Sequence, residues 1–350
     1  MTDTPSAGTP VGHERSRLVD PPWPTIAYIP EPMDGVPVLA LSVLEDGPRT
    51  WDRSRRRFGE LITKHAHREP SAGGDQGDIV EILFPELVHM WGAEILRGVE
   101  RVARENRVGV VFSELGFDRA TAVYLDGSGG QRGQDVLSIT FLREGQRERL
   151  RAQGIPFVVF DPAEELAEDV PFVSATQWKG ARAAVGHLAD LGHRRIGMIS
   201  GPDHSFCVAR VAGYTSALQE AGLGREPDLF LRTELTREHG YAAARELLSR
   251  PDRPTAVFTA SDMQAIGLYQ AARELGLSIP RDLSVASFDD LPVAAWMDPP
   301  LTTVRQPLTA MARAAAELAL ALGSGEDMPQ TRLDIATSLV VRDSTAPPAS

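Results

Sequence analysis

From Asp78 onward the chain alternates two hydrophobic patterns. Short, nearly uninterrupted apolar runs rich in Val, Ile and Phe give way to longer stretches in which apolar positions recur every three or four residues. The runs are DIVEILF from Asp78, RVGVVFS from Arg107, DVLSITF from Asp135, IPFVVFD from Ile155, RRIGMIS from Arg194, TAVFTA from Thr255 and LSVASFD from Leu283. Each is short and apolar enough for a strand in a sheet covered on both faces. Helices are predicted between them, from Trp91, Thr176, Cys207 and Asp262. They begin near Pro, Ser, Thr or Asp and end near Gly. In the last, Ile266, Tyr269, Gln270, Ala272 and Arg273 divide into one apolar and one polar face, as a helix lying on a sheet requires. The alternation predicts an α/β fold of parallel strands joined by crossover helices. The run GSGGQRG, Gly127 to Gly133, stands where a further crossover helix belongs and predicts a short or frayed one.

Both ends depart from this pattern. Residues 1–22 and 344–350 are rich in Pro, Gly, Ser, Thr or Ala without periodicity, which predicts tails. At 350 residues the chain exceeds one typical domain, so a two-lobed body is expected. Charge changes the picture in one respect. The 36 basic and 48 acidic residues sum to −12, which excludes a surface that coats nucleic acid or anionic membrane as a whole. No apolar run approaches a membrane span, and the first residues lack the pattern of a secretory signal, so a cytoplasmic location is expected. One cysteine, Cys207, excludes an internal disulfide framework and a multi-cysteine zinc site. There is no GxSxG, HExxH, Walker A or GxGxxG motif; no catalytic residue, metal or cofactor is assigned.

Five runs, in order, resemble the effector-binding part of the LacI/GalR family of bacterial transcriptional regulators. They are FPELVHMWGAEILRGVE at Phe84, LGHRRIGMISGP at Leu191, ARVAGYTSAL at Ala209, TASDMQAIGLYQAARELGLSIPRDLSVASFDDLP at Thr259 and PPLTTVRQPL at Pro299. The resemblance implies two doubly wound parallel-sheet lobes of the type I periplasmic-binding-protein kind over 78–343. It divides them as 78–161 plus 291–323 and 162–290 plus 324–343, with a ligand in the cleft at the carboxyl ends of the strands. Residues 23–70 resemble the family's small helical head, a helix-turn-helix, in damaged form: Thr25, Ile26, Ile29, Val43, Leu44 and the stretch Arg55 to Ile62 fit. Pro30 and Pro32 interrupt the first helix, and interior proline costs ~3 kcal/mol. The recognition segment PVLALSV offers Ser42 but no amide or guanidinium group to read base edges. The linker 71–77 lacks the family's hinge helix. Operator DNA binding is therefore expected to be weak or lost, with Thr25, Ser42, Arg55, Arg56 and Arg57 as the contacts the resemblance assigns.

For the cleft the resemblance assigns Arg210, whose guanidinium suits adjacent hydroxyls or a carboxylate, and Asp289 as an acceptor for vicinal sugar hydroxyls. Asp262 is expected to contact ligand or cap its helix, or both. Glu86 and Trp91 fall in the first cleft loop, and His204 and Phe206 in another. A sugar also needs an aromatic platform for its C–H face. Leu235 occupies the position where family members place that ring, which leaves Trp178, Trp296, Trp91 and Phe206 as substitutes, Trp178 slightly ahead, though any one of them is more often packing than platform. The expected protein is a non-enzymatic regulator with a carbohydrate effector and a homodimeric assembly. The alternative is a cytoplasmic sugar-binding protein without sequence-specific DNA binding.

Overall fold

The computed structural model describes residues 24–29, 38–43, 79–84, 90–114, 135–139 and 142–349. Two sheets organise them. In chain order the first takes β1 (Pro24–Ile29), β2 (Val38–Val43), β3 (Ile79–Phe84), β4 (Gly109–Glu114), β5 (Asp135–Ile139), β6 (Phe157–Phe160) and β7 (Phe172–Ala175). Helices α1 (Met90–Asn106) and α2 (Glu144–Ala152) connect its strands. The chain then crosses into α3 (Gln177–Asp190), β8 (Ile196–Ser200), α4 (Ser205–Glu220), β9 (Phe230–Arg232), α5 (Arg237–Leu248), β10 (Ala256–Thr259), α6 (Asp262–Glu274), β11 (Ser284–Asp289) and β12 (Thr302–Arg305). It returns through α7 (Leu308–Gly323) and β13 (Arg332–Ile335) and crosses a third time to β14 (Ser338–Val340).

The first sheet has the order β13-β7-β6-β5-β3-β4-β1-β2 and the second β14-β12-β11-β10-β8-β9. Strands β3 to β7 and β13 pair in parallel, as do β8 to β12. All seven strands and all four helices expected from the periodicity are present; Gly127 to Gly133 lies outside the described residues. The reason the strands were legible is their burial: β6, β8 and β10 have no exposed position, because helices cover both faces of the sheet. In the first lobe Ile82, Leu137 and Val158 pack with Ile95 of α1 and Met311 and Ala315 of α7. In the second, Phe258 and Phe288 are fully enclosed, worth ~1.5–3 kcal/mol each. Close helix contact needs glycine: a Cβ at Gly98 of α1 would strike the Thr309 carbonyl, and one at Gly213 of α4 the Trp178 carbonyl.

Three expectations are corrected. The boundary between lobes lies later than the resemblance implied. β7 still pairs with β6, while β12, expected in the first lobe, pairs with β11, so the crossings fall at residues 176, 306–307 and 336–337. Within the segment expected as a tail, residues 344–346 are docked on the second lobe. Val285 N–H donates to the Ser344 carbonyl at 2.8 Å, and Thr302 N–H donates to Ser344 Oγ at 2.8 Å. His193 Nε2 lies 2.9 Å from the Ala346 carbonyl and His187 Nε2 2.9 Å from Thr345 Oγ1. Small polar side chains let this segment satisfy N–H groups at the starts of β11 and β12, which composition alone does not reveal. Finally, within 23–70 the described residues are strands rather than helices. β1 and β2 pair antiparallel, with Thr25 opposite Ser42, and β1 pairs antiparallel with β4. Prolines at 30, 32 and 37 withhold the N–H groups and backbone freedom a helix needs, and the Val- and Leu-rich run 38–43 suits a strand. Arg55, Arg56 and Arg57 lie outside the described residues.

Candidate functional site

Two strands end in the same way at the junction of the lobes. β6 runs Phe-Val-Val-Phe into Asp161, and β11 ends Ser-Phe-Asp289. Both aspartates adopt a positive φ, 46° at Asp161 and 115° at Asp289, a conformation costing about 1–3 kcal/mol that Asp tolerates better than most residues. The turn carries each carboxylate off the end of its sheet, where a cleft between lobes opens in folds of this kind.

Arg210 enters from the second turn of α4 and is only 3% exposed. Its Nε donates to Gln177 Oε1 at 2.9 Å, Nη1 to the Ala260 carbonyl at 2.5 Å, and Nη2 to Gln306 Oε1 at 3.1 Å. Nη1 also lies 3.5 Å from Asp289 Oδ1. The guanidinium sits 3.8 Å from the Phe288 ring centroid and 5.4 Å from that of Phe206. Of its five N–H groups, one on each Nη makes no hydrogen bond within the described residues. Asp289 keeps 16% of its side chain exposed and accepts from Ser261 Oγ at 2.9 Å. Burial pushes its carboxyl upward and the Arg210 charge opposes this.

Asp262 is placed differently from the expectation. It has no exposed surface, Thr303 Oγ1 donates to its Oδ1 at 2.7 Å, and the Leu291 N–H donates to its Oδ2 at 2.8 Å. Burial, reinforced by the nearby Asp289 charge, raises its pKa above the ordinary carboxylate range. The helix cap is Ser261, whose Oγ accepts from Met263 N–H at 3.2 Å. Ser261 touches Asp289 while Asp262 is enclosed, so the cap expected of Asp262 is made by Ser261, one residue earlier.

Among the other expected residues, His204 and Phe206 sit together with ring centroids 5.3 Å apart, Phe206 beside Arg210. Trp178 is 40% exposed at the start of α3, with Arg182 5.7 Å from its ring. Trp91 packs on the first-lobe core, 6.1 Å from Phe84. Trp296 is 74% exposed beyond the turn at Pro292–Ala295, with no ring contact among the described residues. Glu86 lies outside the described residues. Leu235 packs into the second-lobe core, against the space beside Gly201, and supplies no ring. A cavity of about 540 Å³ borders Asp289 and Gln306 and continues along α1 past Gly98 and Arg101.

Sequence reasoning missed Asp161, Gln177 and Gln306. Asp161 accepts from Ser174 Oγ at 2.9 Å, from Gln177 Nε2 at 3.0 Å and, on its other oxygen, from Gln306 Nε2 at 3.0 Å. The repeated Phe-Asp strand ending was the available signal. Nothing in the sequence marks the two glutamines, whose importance comes from lying on two chain crossings at once.

Comparison with known proteins agrees with this architecture. Residues 185–345 match a family described as a periplasmic binding protein-like domain. The chain is 30% identical to the solved transcriptional regulator CelR–cellobiose complex, covering 86% of this chain and 92% of that one with a TM-score of 0.71. It is 30% identical to a LacI family transcriptional regulator from Mycobacterium smegmatis, covering 77% of this chain and all of that one with a TM-score of 0.67. It is also 44% identical over 277 residues to the HTH-type transcriptional regulator MalR of Streptomyces coelicolor, across 75% of this chain and 77% of the relative. Likeness of that extent, on a fold whose strand-end aspartates and buried arginine meet between two lobes, places the chain in the LacI/GalR family of transcriptional regulators.

Proposed function

We propose that the junction of the lobes binds a carbohydrate effector through Arg210 and Asp289. The observation that carries the reading is the preset arginine. Three hydrogen bonds hold its plane, each Nη has one N–H without a hydrogen bond among the described residues, and a partly exposed carboxylate stands 3.5 Å from Nη1. Paired donors beside an acceptor match two neighbouring hydroxyls, each of which both accepts and donates. Phe206, beside the guanidinium, supplies an apolar surface for the sugar's C–H face in the role that Leu235 cannot fill. Asp262 acts indirectly, by fixing Leu291 and Thr303 next to the site. The cellobiose bound to the related CelR supports a sugar as the ligand class.

Ligand and operator affinities are then linked reciprocally, the effector favouring one arrangement of the lobes. The active unit is a homodimer working in the cytoplasm without turnover of its ligand; no described helix is long and apolar enough to cross a membrane. Calorimetry against a panel of mono- and oligosaccharides, with a nucleoside and an amino acid as controls, tests the reading. Heat from a sugar that Asp289→Ala abolishes supports it. Heat only from the nucleoside or the amino acid overturns it.

A further inference from the structure

Asp161 and Arg210 belong to different lobes and share two intermediaries. Gln177 donates to Asp161 Oδ1 and accepts from Arg210 Nε; Gln306 donates to Asp161 Oδ2 and accepts from Arg210 Nη2. The four side chains close a ring in which each glutamine uses both ends of its amide. Gln177 begins α3, immediately after the first crossing, and Gln306 lies on the second. Both are about 5% exposed, so water does not readily replace a broken bond. The third crossing is tied beside the first, where Thr337 N–H donates to Thr176 Oγ1 at 3.0 Å.

We infer that Gln177 and Gln306 are positioning residues that couple the angle between the lobes to the orientation of Arg210. The ring spans the hinge. Asp161 is rigidly attached to the first sheet through β6, and Arg210 to the second lobe through α4. Rotating one lobe against the other moves Asp161 relative to both glutamines and so turns the guanidinium. The amide orientation is forced: a donor must face Asp161 and an acceptor must face Arg210. A simple spacer would carry no such polarity. This coupling lends mechanism to the effector reading above, but the ring's existence as a latch does not depend on the ligand being a sugar.

The test reads lobe separation in the full chain with no ligand added. Spin labels at Arg97→Cys on α1 and Arg245→Cys on α5 occupy exposed positions of the two lobes, while native Cys207 is buried and remains unlabelled. Electron–electron resonance then gives the distribution of distances. Gln306→Glu keeps the acceptor toward Arg210 and sets a carboxylate against Asp161. It should shift the ratio of lobe arrangements by about tenfold, the worth of a hydrogen bond to a charged group. Asp161→Asn in the same chain supplies a donor to Glu at 306 and should restore the parental distribution. Gln177→Glu should behave alike, with the same rescue. An unchanged distribution in a Gln306→Glu protein with parental circular dichroism overturns the inference, as does failure of Asp161→Asn to reverse the shift. If Gln306→Glu does not fold, Gln306→Leu, which removes both bonds without adding charge, is read by the same criterion. Sugar binding is scored separately, so a cleft that takes another ligand leaves this result standing.

Discussion

The guanidinium of Arg210 and the carboxylate of Asp289 lie 3.5 Å apart with the Phe288 ring 3.8 Å from the cation, so the charge pair is backed by an apolar surface. Arg210→Lys keeps the charge but loses the planar fork and its bonds to both glutamines. Sugar affinity should fall by about tenfold or more, with the fold retained. Arg210→Ala leaves Asp289 without its cation and should cost about 3–5 kcal/mol of stability. Calorimetry and urea unfolding of the two variants separate these effects.

Asp262 gives a pH signature. Its carboxyl is raised above its unfolded-state value by burial and by Asp289. A raised acid contributes stability that is present below the unfolded value of about 3.9 and lost as pH rises through the folded one. Asp262→Asn removes that loss. The stability of the variant relative to the parent should therefore increase as pH rises across the window, measured by urea unfolding at a series of pH values. A difference independent of pH contradicts the assignment.

Tyr214 is fully buried in the second lobe and its hydroxyl donates to the Ile196 carbonyl at 2.8 Å. Tyr214→Phe should cost about 1–2 kcal/mol and leave sugar heats unchanged, since the lost bond lies at the start of β8 rather than its carboxyl end.

The thiol of Cys207 is buried against the space beside Gly201, and burial pushes its pKa up to about 11. Little thiolate forms near neutrality, so a thiol reagent should modify the folded protein very slowly and the urea-unfolded protein at once. Rapid labelling of the folded chain would contradict this placement.

Ending the chain at Asp343 should destabilise the second lobe by about 2–4 kcal/mol, because the N–H groups of Val285 and Thr302 lose their partners on Ser344. Thermal unfolding of the truncated chain measures the cost.

These positions also show what the sequence makes legible. Strands such as β8 and β10 announce themselves because burial on both faces demands an unbroken apolar run. Arg210 and Asp289 were singled out because they stand in the runs ARVAGY and LSVASFD that carry the family resemblance. The cap of α6 was not decided by sequence because Ser261 and Asp262 are both good caps, and only the backbone path shows that Ser261 makes it. Gln177 and Gln306 were invisible because they stand 129 residues apart in the chain and meet Asp161 and Arg210 together only through folding. The Pro, Ala and Ser of 344–349 resemble a solvated tail in composition, yet Ser344 is fully enclosed.

Three crossings between the lobes also set an order of assembly on the ribosome. The strands of the first lobe precede those of the second, but that lobe is missing α7 and the edge strand β13, Arg332–Ile335, until β12 of the second has been made. The second lobe is encoded almost without interruption from α3 to β12 and waits only for its β14 edge and the docking of Ser344. The later half is thus the better placed to condense early, while the earlier half must persist with an uncovered apolar face. A translational pause before α7 would hold the nascent chain with the second lobe short only of β14 and Ser344 and the first lobe short of α7 and β13, a species predisposed to chaperone capture.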